Sequence, residues 1–578
     1  MKFERKPMVG WFDVAQLMST GVKAVVSVVF GSYSDKREMQ AFARQDQPFD
    51  LSDKEELWID YISDLGDGFN PTYTMAHLMA QDEIQVNNKN LPRGDILVMG
   101  GDEVYPTPEI HEYKNRLQGP YNAAFPWIDE EKQAKELKPK LFVIPGNHDW
   151  YDGLTNFMRL FCQGRALGNW LTQQKRSYFA LQLPHRYWLL GIDIQLMGDI
   201  DEPQLSYFKE VAGRCFQSGD KIILCTAQPT WVYGSTSGKF DDEERLNFFI
   251  ESLRKEGEKQ NAHFHIEVIL TGDLHHYSRY EKKDVDGKIS QLITAGGGGA
   301  FMHPTHFLKD KFSFPNESKA ELKCTFPNFK QSKNLSWRNL LFPFYNWSFC
   351  LFLAAIHILT SWIIQSNNVS STGTTFMETV AELAFSISNI DNYLSIIWKT
   401  VQHSPSVFLL NAVLFLGILF FTDVSLGLKK WNLLLGGFFH ATAQITNLYC
   451  WIWVFSIWNL NILHLDINQS YQALLFGVEM MVLGGLSVGI IFGIYLSFSI
   501  LVLKNHANEG SSSYRHEGFK NFLRIHLAKD KLTIYPIGLK NIVTNWKNVG
   551  TVEKPKFEGD EIQYNLLEDK PIEINFRP

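Results

Sequence analysis

Asn147, His148 and Asp149 stand side by side where the apolar run Leu141–Ile144 leaves through a Pro-Gly turn. An amide oxygen, an imidazole and a carboxylate at a strand tip can bind metal and move protons. A polar loop closing a strand is the other reading of that one stretch, so repetition decides. Three further apolar strands run into acids: Leu57–Ser63 into Asp64, Asp95–Met99 into Asp102, and His265–Leu270 into Asp273-Leu-His275. Hard divalent or trivalent cations need such clustered donors, and a carboxylate can bridge two of them.

Residues that close on one cation must be delivered by elements that share an edge. From about Leu57, short apolar strands alternate with helical stretches, the pattern of an α/β layered fold. The segment 71–85 reads as a helix. Further strands are expected at 187–192, at 221–225 (ending in Thr226-Ala-Gln-Pro229), and near 291–294, before Gly296–Gly299. Ligands in open α/β sheets gather beyond the carboxyl ends of strands, so four acid-bearing exits point at one place.

With 578 residues the chain exceeds one compact core. Its net charge of -7 gives no basic footprint, so nucleic acid is not an implied partner. Six cysteines without metal-type spacing suit reduced thiols. Residues 1–50 read as a helical extension with a buried segment at Ala24–Phe30, 51–307 as the α/β domain and 308–340 as a basic linker. Residues 341–504 read as four spans, at 342–364, 406–428, 433–457 and 472–503. Each is long enough for about 30 Å of hydrocarbon at about 1.5 Å per residue.

Lys330, Lys333, Arg338, Lys429, Lys430 and Lys504 cluster on one side of those spans, which predicts a multi-pass membrane protein with both soluble ends in the cytoplasm. Asn368-Val-Ser and Asn468-Gln-Ser would then lie outside, where glycosylation acceptors are usable. Residues 505–578 read as a small β-rich tail with a hairpin at Phe522–Tyr535. Asp423, His440, Gln444 and Glu479 should face the bundle interior, with Asp423 and His440 at similar depth. An interhelical hydrogen bond, a lipid headgroup pocket and a proton path are the readings of that pair.

The succession Asp64-x-Gly66, Gly101-Asp-x-x-Tyr105, Gly146-Asn-His-Asp149 and Gly272-Asp-x-His275 resembles the calcineurin-like metallophosphoesterases, its first two blocks being most like the purple acid phosphatase branch. The resemblance covers about Leu57 to His306 and implies a four-layer α/β/β/α sandwich around two metals. By it, Asp64 and His275 bind the first metal, Asp102 bridges both and Asn147 binds the second. His148 would give a proton to the leaving oxygen while Asp149 orients it. Tyr105 matches the tyrosine that binds ferric iron in purple acid phosphatases; a packed aromatic is the alternative. Two cations would stabilise the charge developing on phosphate and lower the pKa of a bridging water.

Two departures fall on the second metal. Gln228 stands where the family usually has a histidine, and Asp273 replaces the first imidazole of Gly-His-x-His. A carboxylate there favours manganese, iron or magnesium over zinc. The second site is then weak, filled only with substrate, or absent. Asp67 reads as a cap for the helix after Pro71 or as a spare ligand. His276, Arg279, His303 and His306 read as a phosphate clamp or entrance, or as scattered surface residues, and Gly296–Gly299 as a place of close backbone approach. The whole predicts a membrane-anchored phosphoesterase acting on a phosphorylated small molecule or lipid; the competing reading is a weakened domain that binds or regulates.

Overall fold

In the computed structural model, described residues are 2–31, 47–129, 132–194, 200–422 and 431–575. They form two compact units that interleave along the chain. One takes residues up to Val9, Met18–Ser332 and Arg515 onward; the other takes Gly10–Leu17 and Lys333–Tyr514.

The first unit holds two large sheets. In one, β1 (Leu57–Ile62), β2 (Ile96–Met99) and β3 (Lys140–Val143) lie parallel and adjacent, with Ile59 opposite Ile96 and Ile96 opposite Lys140. In the other, β4 (Tyr187–Gly191), β5 (Asp220–Cys225), β6 (Phe264–Thr271) and β8 (Ile289–Ala295) run parallel. There β7 (Tyr277–Lys283) pairs antiparallel with β8 and with β9 (Lys319–Phe326).

The period-two alternation of the strands sets the layers. Leu57, Ile59 and Tyr61 join Ile223, Val268 and Ile293 in a core between the sheets. Ile62, Leu97 and Leu141 point the other way, onto Met75 and Met79 of the helix Phe69–Met79. Ile222, Leu224 and Ile269 pack on Phe208 and Phe249, from the helices Glu202–Cys215 and Asp241–Glu258. Three cores thus separate four layers, helix, sheet, sheet and helix.

Three boundaries differ from expectation. The tail expected as a domain of its own supplies β10 (Lys520–Leu527) and β11 (Lys531–Leu539), an antiparallel hairpin whose first strand pairs with β1. Arg524 seals that junction, its guanidinium donating to Asp60 Oδ1 at 2.7 Å and Oδ2 at 2.8 Å, with both side chains buried. The expected linker is regular structure: Lys311–Ser313 and β9 extend a sheet, and a helix spans Phe329–Ser336. Of the N-terminal extension, Val14–Gly31 is a helix and Phe49–Asp50 pairs with Phe179–Gln182, while the side chains of 24–31 and all of 32–46 lie outside the described residues.

The second unit is helical. Among the described residues, Trp347–Ser366 and Ser470–Leu503 are long and apolar enough to cross a membrane. A third candidate exists only if Ile387–His403 and Pro405–Phe420, bent by 106°, count as one span. This replaces the four expected spans with two or three. Ser404 is extended (φ -126°, ψ 98°) because proline disfavours the helical region in the residue before it. The helix Trp431–Ser456 carries His440, Gln444 and Asn447 and falls short in composition. Inside this unit Gln444 Nε2 lies 3.3 Å from His440 Nε2, and Asn459 donates to Glu479 at 2.8 Å. Asp423, the partner expected for His440, lies outside the described residues, as do Lys429 and Lys430.

Candidate metal centre

The strand exits do converge. The Tyr105 hydroxyl lies 3.1 Å from Asp64 Oδ1, 3.0 Å from Asp102 Oδ2 and 3.0 Å from His275 Nε2, and all four residues are buried. His275 Nε2 is 3.7 Å from Asp64 Oδ1. The group draws on both sheets, through the exits of β1, β2 and β6.

Backbone geometry holds the acids inward. Asp64, Asp102 and Asp273 have φ of 59°, 54° and 64°, a left-handed region that costs a non-glycine residue about 1–2 kcal/mol. Three such residues at three strand exits mark a place where the surroundings over-determine the chain. Asp64 N–H donates to the Gly101 carbonyl at 2.9 Å, and Leu65 N–H to that of Asp102 at 2.8 Å, locking the first two exits together. The Asp273 N–H donates to both Asp64 oxygens, at 3.1 and 3.0 Å. Glycine is required beside them: a Cβ on Gly146 would stand 2.0 Å from Asp102 Oδ1, and one on Gly272 only 2.3 Å from Ser63 Oγ.

Each imidazole rests its Nδ1 on a backbone carbonyl. His275 Nδ1 donates to the Phe301 carbonyl at 2.7 Å, so its Nε2 lone pair faces Asp64 and Tyr105. His148 Nδ1 donates to the Pro106 carbonyl at 2.9 Å, and its ring packs against Tyr105 at 4.4 Å between centroids. Its backbone N–H donates to Asp102 Oδ1 at 2.9 Å. The carboxylate of Asp149, expected to orient His148, instead accepts from Gly146 N–H at 2.9 Å, Glu103 N–H at 3.3 Å and the Tyr113 hydroxyl. Asp149 thus shapes the turn that presents Asn147 and His148.

The second-metal side is looser. Asn147 Nδ2 donates to the Tyr151 hydroxyl at 3.2 Å, which turns its amide oxygen the other way. One oxygen of Asp273 accepts from the Tyr233 hydroxyl, and Gln228 is half-buried at the exit of β5.

Burial pushes the Asp102 carboxyl up to about 7, aided by the charge of Asp149, and Asp273 up to about 6, aided by Asp102. Asp64 is raised well above the usual carboxylate range by burial, then by Asp102 and Asp273. Burial lowers both His275 and His148, so the rings are neutral near pH 7. Crowded acids beside neutral imidazoles mark a functional site.

The donor set fits a hard divalent cation: two carboxylates, a phenol oxygen and an imidazole whose other nitrogen is fixed. Among the described residues, no three His, Cys, Asp or Glu side chains alone close on a point as a cage would. The Tyr105 hydroxyl occupies the place where they come nearest.

The remaining expectations resolve as packing. Asp67 caps no helix; the helix Phe69–Met79 has Gly68 at its N-cap, and Asp67 Oδ1 accepts from Val9 N–H at 2.7 Å. Arg279 is committed to the tail, donating to Glu568 Oε1 at 2.7 Å and Oε2 at 2.5 Å, so it clamps no phosphate. His276, His303 and His306 are buried, not surface residues. His303 stacks on the His275 ring at 4.0 Å, and His306 Nδ1 lies 2.7 Å from Ser332 Oγ. Gly296–Gly299 pack against the Asp64 loop, where a Cβ on Gly299 would stand 1.9 Å from the Leu65 carbonyl. Sequence reasoning missed Ser63, whose hydroxyl donates to Asp64 Oδ2 at 2.9 Å, and Tyr233 on Asp273. Neither is flagged by residue type or spacing.

Residues 57–277 match the family described as calcineurin-like phosphoesterase, and this part of the chain is a calcineurin-like metallophosphoesterase domain, a class that implies divalent metal ions. No curated protein matches the chain. Among solved structures the chain is similar to PhoD, with 13% identity over 44% of this chain and 59% of that one, at a TM-score of 0.27. It is also similar to purple acid phosphatase PPD1 from yellow lupin (Lupinus luteus) seeds, with 11% identity over 45% of this chain and 46% of that one, at 0.29. The chain thus spans less than two thirds of either structure.

Proposed function

We propose that this protein hydrolyses a phosphomonoester or phosphodiester, with Asp64, Asp102, Tyr105 and His275 holding one metal ion and Asn147, Asp273 and Asp102 attending a second. The observation that carries the proposal is the meeting of Asp64, Asp102 and His275 within 3.0–3.1 Å of the Tyr105 hydroxyl. Bound ions would supply Lewis-acid polarisation of the phosphoryl oxygen and an acidified water. Manganese, iron or magnesium suits the oxygen-rich set. The Pro106 carbonyl fixes the His148 ring, and the charge of a phosphate ester favours its protonated form, so Nε2 would hold the proton passed to the leaving oxygen.

The two helices apolar enough to span a membrane support an integral membrane protein, and we extend this to a multi-pass topology with the metal centre facing the cytoplasm. Its substrate is then a phosphate ester at or in the bilayer. The test is a panel of phosphomonoesters, phosphodiesters and phospholipids offered to the full chain in lipid nanodiscs, one metal at a time. Metal-stimulated release of phosphate or alcohol, abolished in Asp102→Ala, is the expected result. Metal and phosphate binding without turnover would instead support a binding module.

A further inference from the structure

The first strand of the tail hairpin, β10, reaches the metal centre through one loop. Lys520, the first residue of β10, is buried, and its ammonium donates to the Ala300 carbonyl. Asn521 N–H donates to the Gly297 carbonyl at 3.2 Å. On its other side the same loop is tied to Asp64: Gly298 N–H donates to the Ser63 carbonyl at 2.8 Å, and Ala300 N–H to the Asp64 carbonyl at 3.0 Å. The next carbonyl, that of Phe301, accepts the His275 Nδ1 proton at 2.7 Å.

A buried ammonium costs several kcal/mol unless compensated, so an apolar side chain would serve the fold at least as well. Here the charges of Asp67, Glu517 and Asp64 partly offset that cost. Because a peptide group is planar, holding the Ala300 carbonyl fixes the 300–301 unit. The Phe301 carbonyl is then aimed from a fixed base. The loop is so crowded against Asn521 that a Cβ on Gly297 would stand 2.2 Å from its N.

We infer that Lys520 is a positioning residue for the metal centre: from a strand 245 positions beyond His275, it fixes the loop whose Phe301 carbonyl sets the tautomer and direction of the His275 imidazole. This rests on the proposed function, since it takes His275 as a metal ligand.

The test measures Mn2+ affinity of the full-length protein by calorimetry, alongside circular dichroism and thermal melting, for wild type, Lys520→Met and Asn521→Ala. Partners of a ligating histidine are worth about 10–100-fold in metal affinity, and Lys520→Met should lose about 10-fold or more, while Asn521→Ala, on the same strand and off the Ala300 carbonyl, stays within about threefold. Unchanged affinity in Lys520→Met, or equal losses in both variants, would overturn the inference. If Lys520→Met does not fold, Lys520→Gln keeps an N–H donor without the charge. It should stay within about threefold, and a loss of about 10-fold would overturn the inference. A wild-type chain that binds no Mn2+ would overturn the proposed function and this inference with it, whereas binding that Lys520→Met leaves intact removes the inference alone.

Discussion

The residues of the centre are held by more than their own charges. The Tyr105 hydroxyl is shared among three buried groups, so Tyr105→Phe should destabilise the metal-free protein by about 1–3 kcal/mol, the cost of unsatisfied buried polar groups, measured by chemical denaturation. His148→Ala should lower kcat by about 10²–10⁴-fold, the usual range for a lost general acid, and less for an ester with a good leaving group. The carboxyls give a pH signature. Asp102 and Asp273 are raised to about 7 and about 6 from an ordinary value near 3.8. A raised carboxyl adds stability below its unfolded pKa and loses it as pH climbs through the folded one. The lowered His275 and His148 pull the other way, so the contribution is read as a difference: the metal-free wild type should lose melting temperature relative to Asp102→Asn from pH 4 to pH 7. Saturating Mn2+, which replaces the proton on Asp102, should remove that relative slope; a wild-type melting temperature that rises relative to the variant over that range would contradict this.

Elements explain which parts were legible in the sequence. The apolar runs at β1, β2, β3 and β6 are short, bounded by turns and followed by acids, so local pattern alone locates them and the side chains at their exits. The roles of His148 and Asp149 were less legible, because the partner of the imidazole is the carbonyl of Pro106, a group present in every residue. The tail hairpin is visible as alternation, but nothing local says that its partner is β1, some 460 residues earlier; the Asp60–Arg524 pair that joins them is a charged contact of |i−j| = 464. Breaking a buried pair costs about 3–5 kcal/mol because one charge is stranded. Arg524→Met should cost about that much, and Asp60→Leu combined with Arg524→Met should recover part of it, as read by denaturation of the full chain. The apolar helices were over-counted because an apolar run does not report the bend at Ser404-Pro405, and because the polar residues of Trp431–Ser456 bring its mean hydropathy below that of a span.

At the scale of the whole molecule, the metallophosphoesterase unit is discontinuous, with the helical unit placed in sequence between Ser332 and Arg515. A chain ended after Ser332 exposes the edge of β1 and leaves Asp60 buried without its cation. Such a truncation should be aggregated or molten by size-exclusion and near-ultraviolet dichroism; a cooperatively melting monomer would contradict the role given to β10. The apolar helices make a separate claim: alkaline carbonate should leave the full chain in the membrane pellet, and release into the supernatant would remove the spanning assignment. The proposed activity is metal-dependent phosphoester hydrolysis at Asp64, Asp102, Tyr105 and His275. The most direct measurement is phosphate-ester turnover by the chelator-stripped full-length protein as Mn2+ is titrated back, beside Asp102→Ala. Turnover should be absent without metal, recover saturably in the wild type and be lower by about 10³-fold or more in the variant, the loss of charge stabilisation worth several kcal/mol. Equal turnover with and without metal, or in the variant, would contradict it.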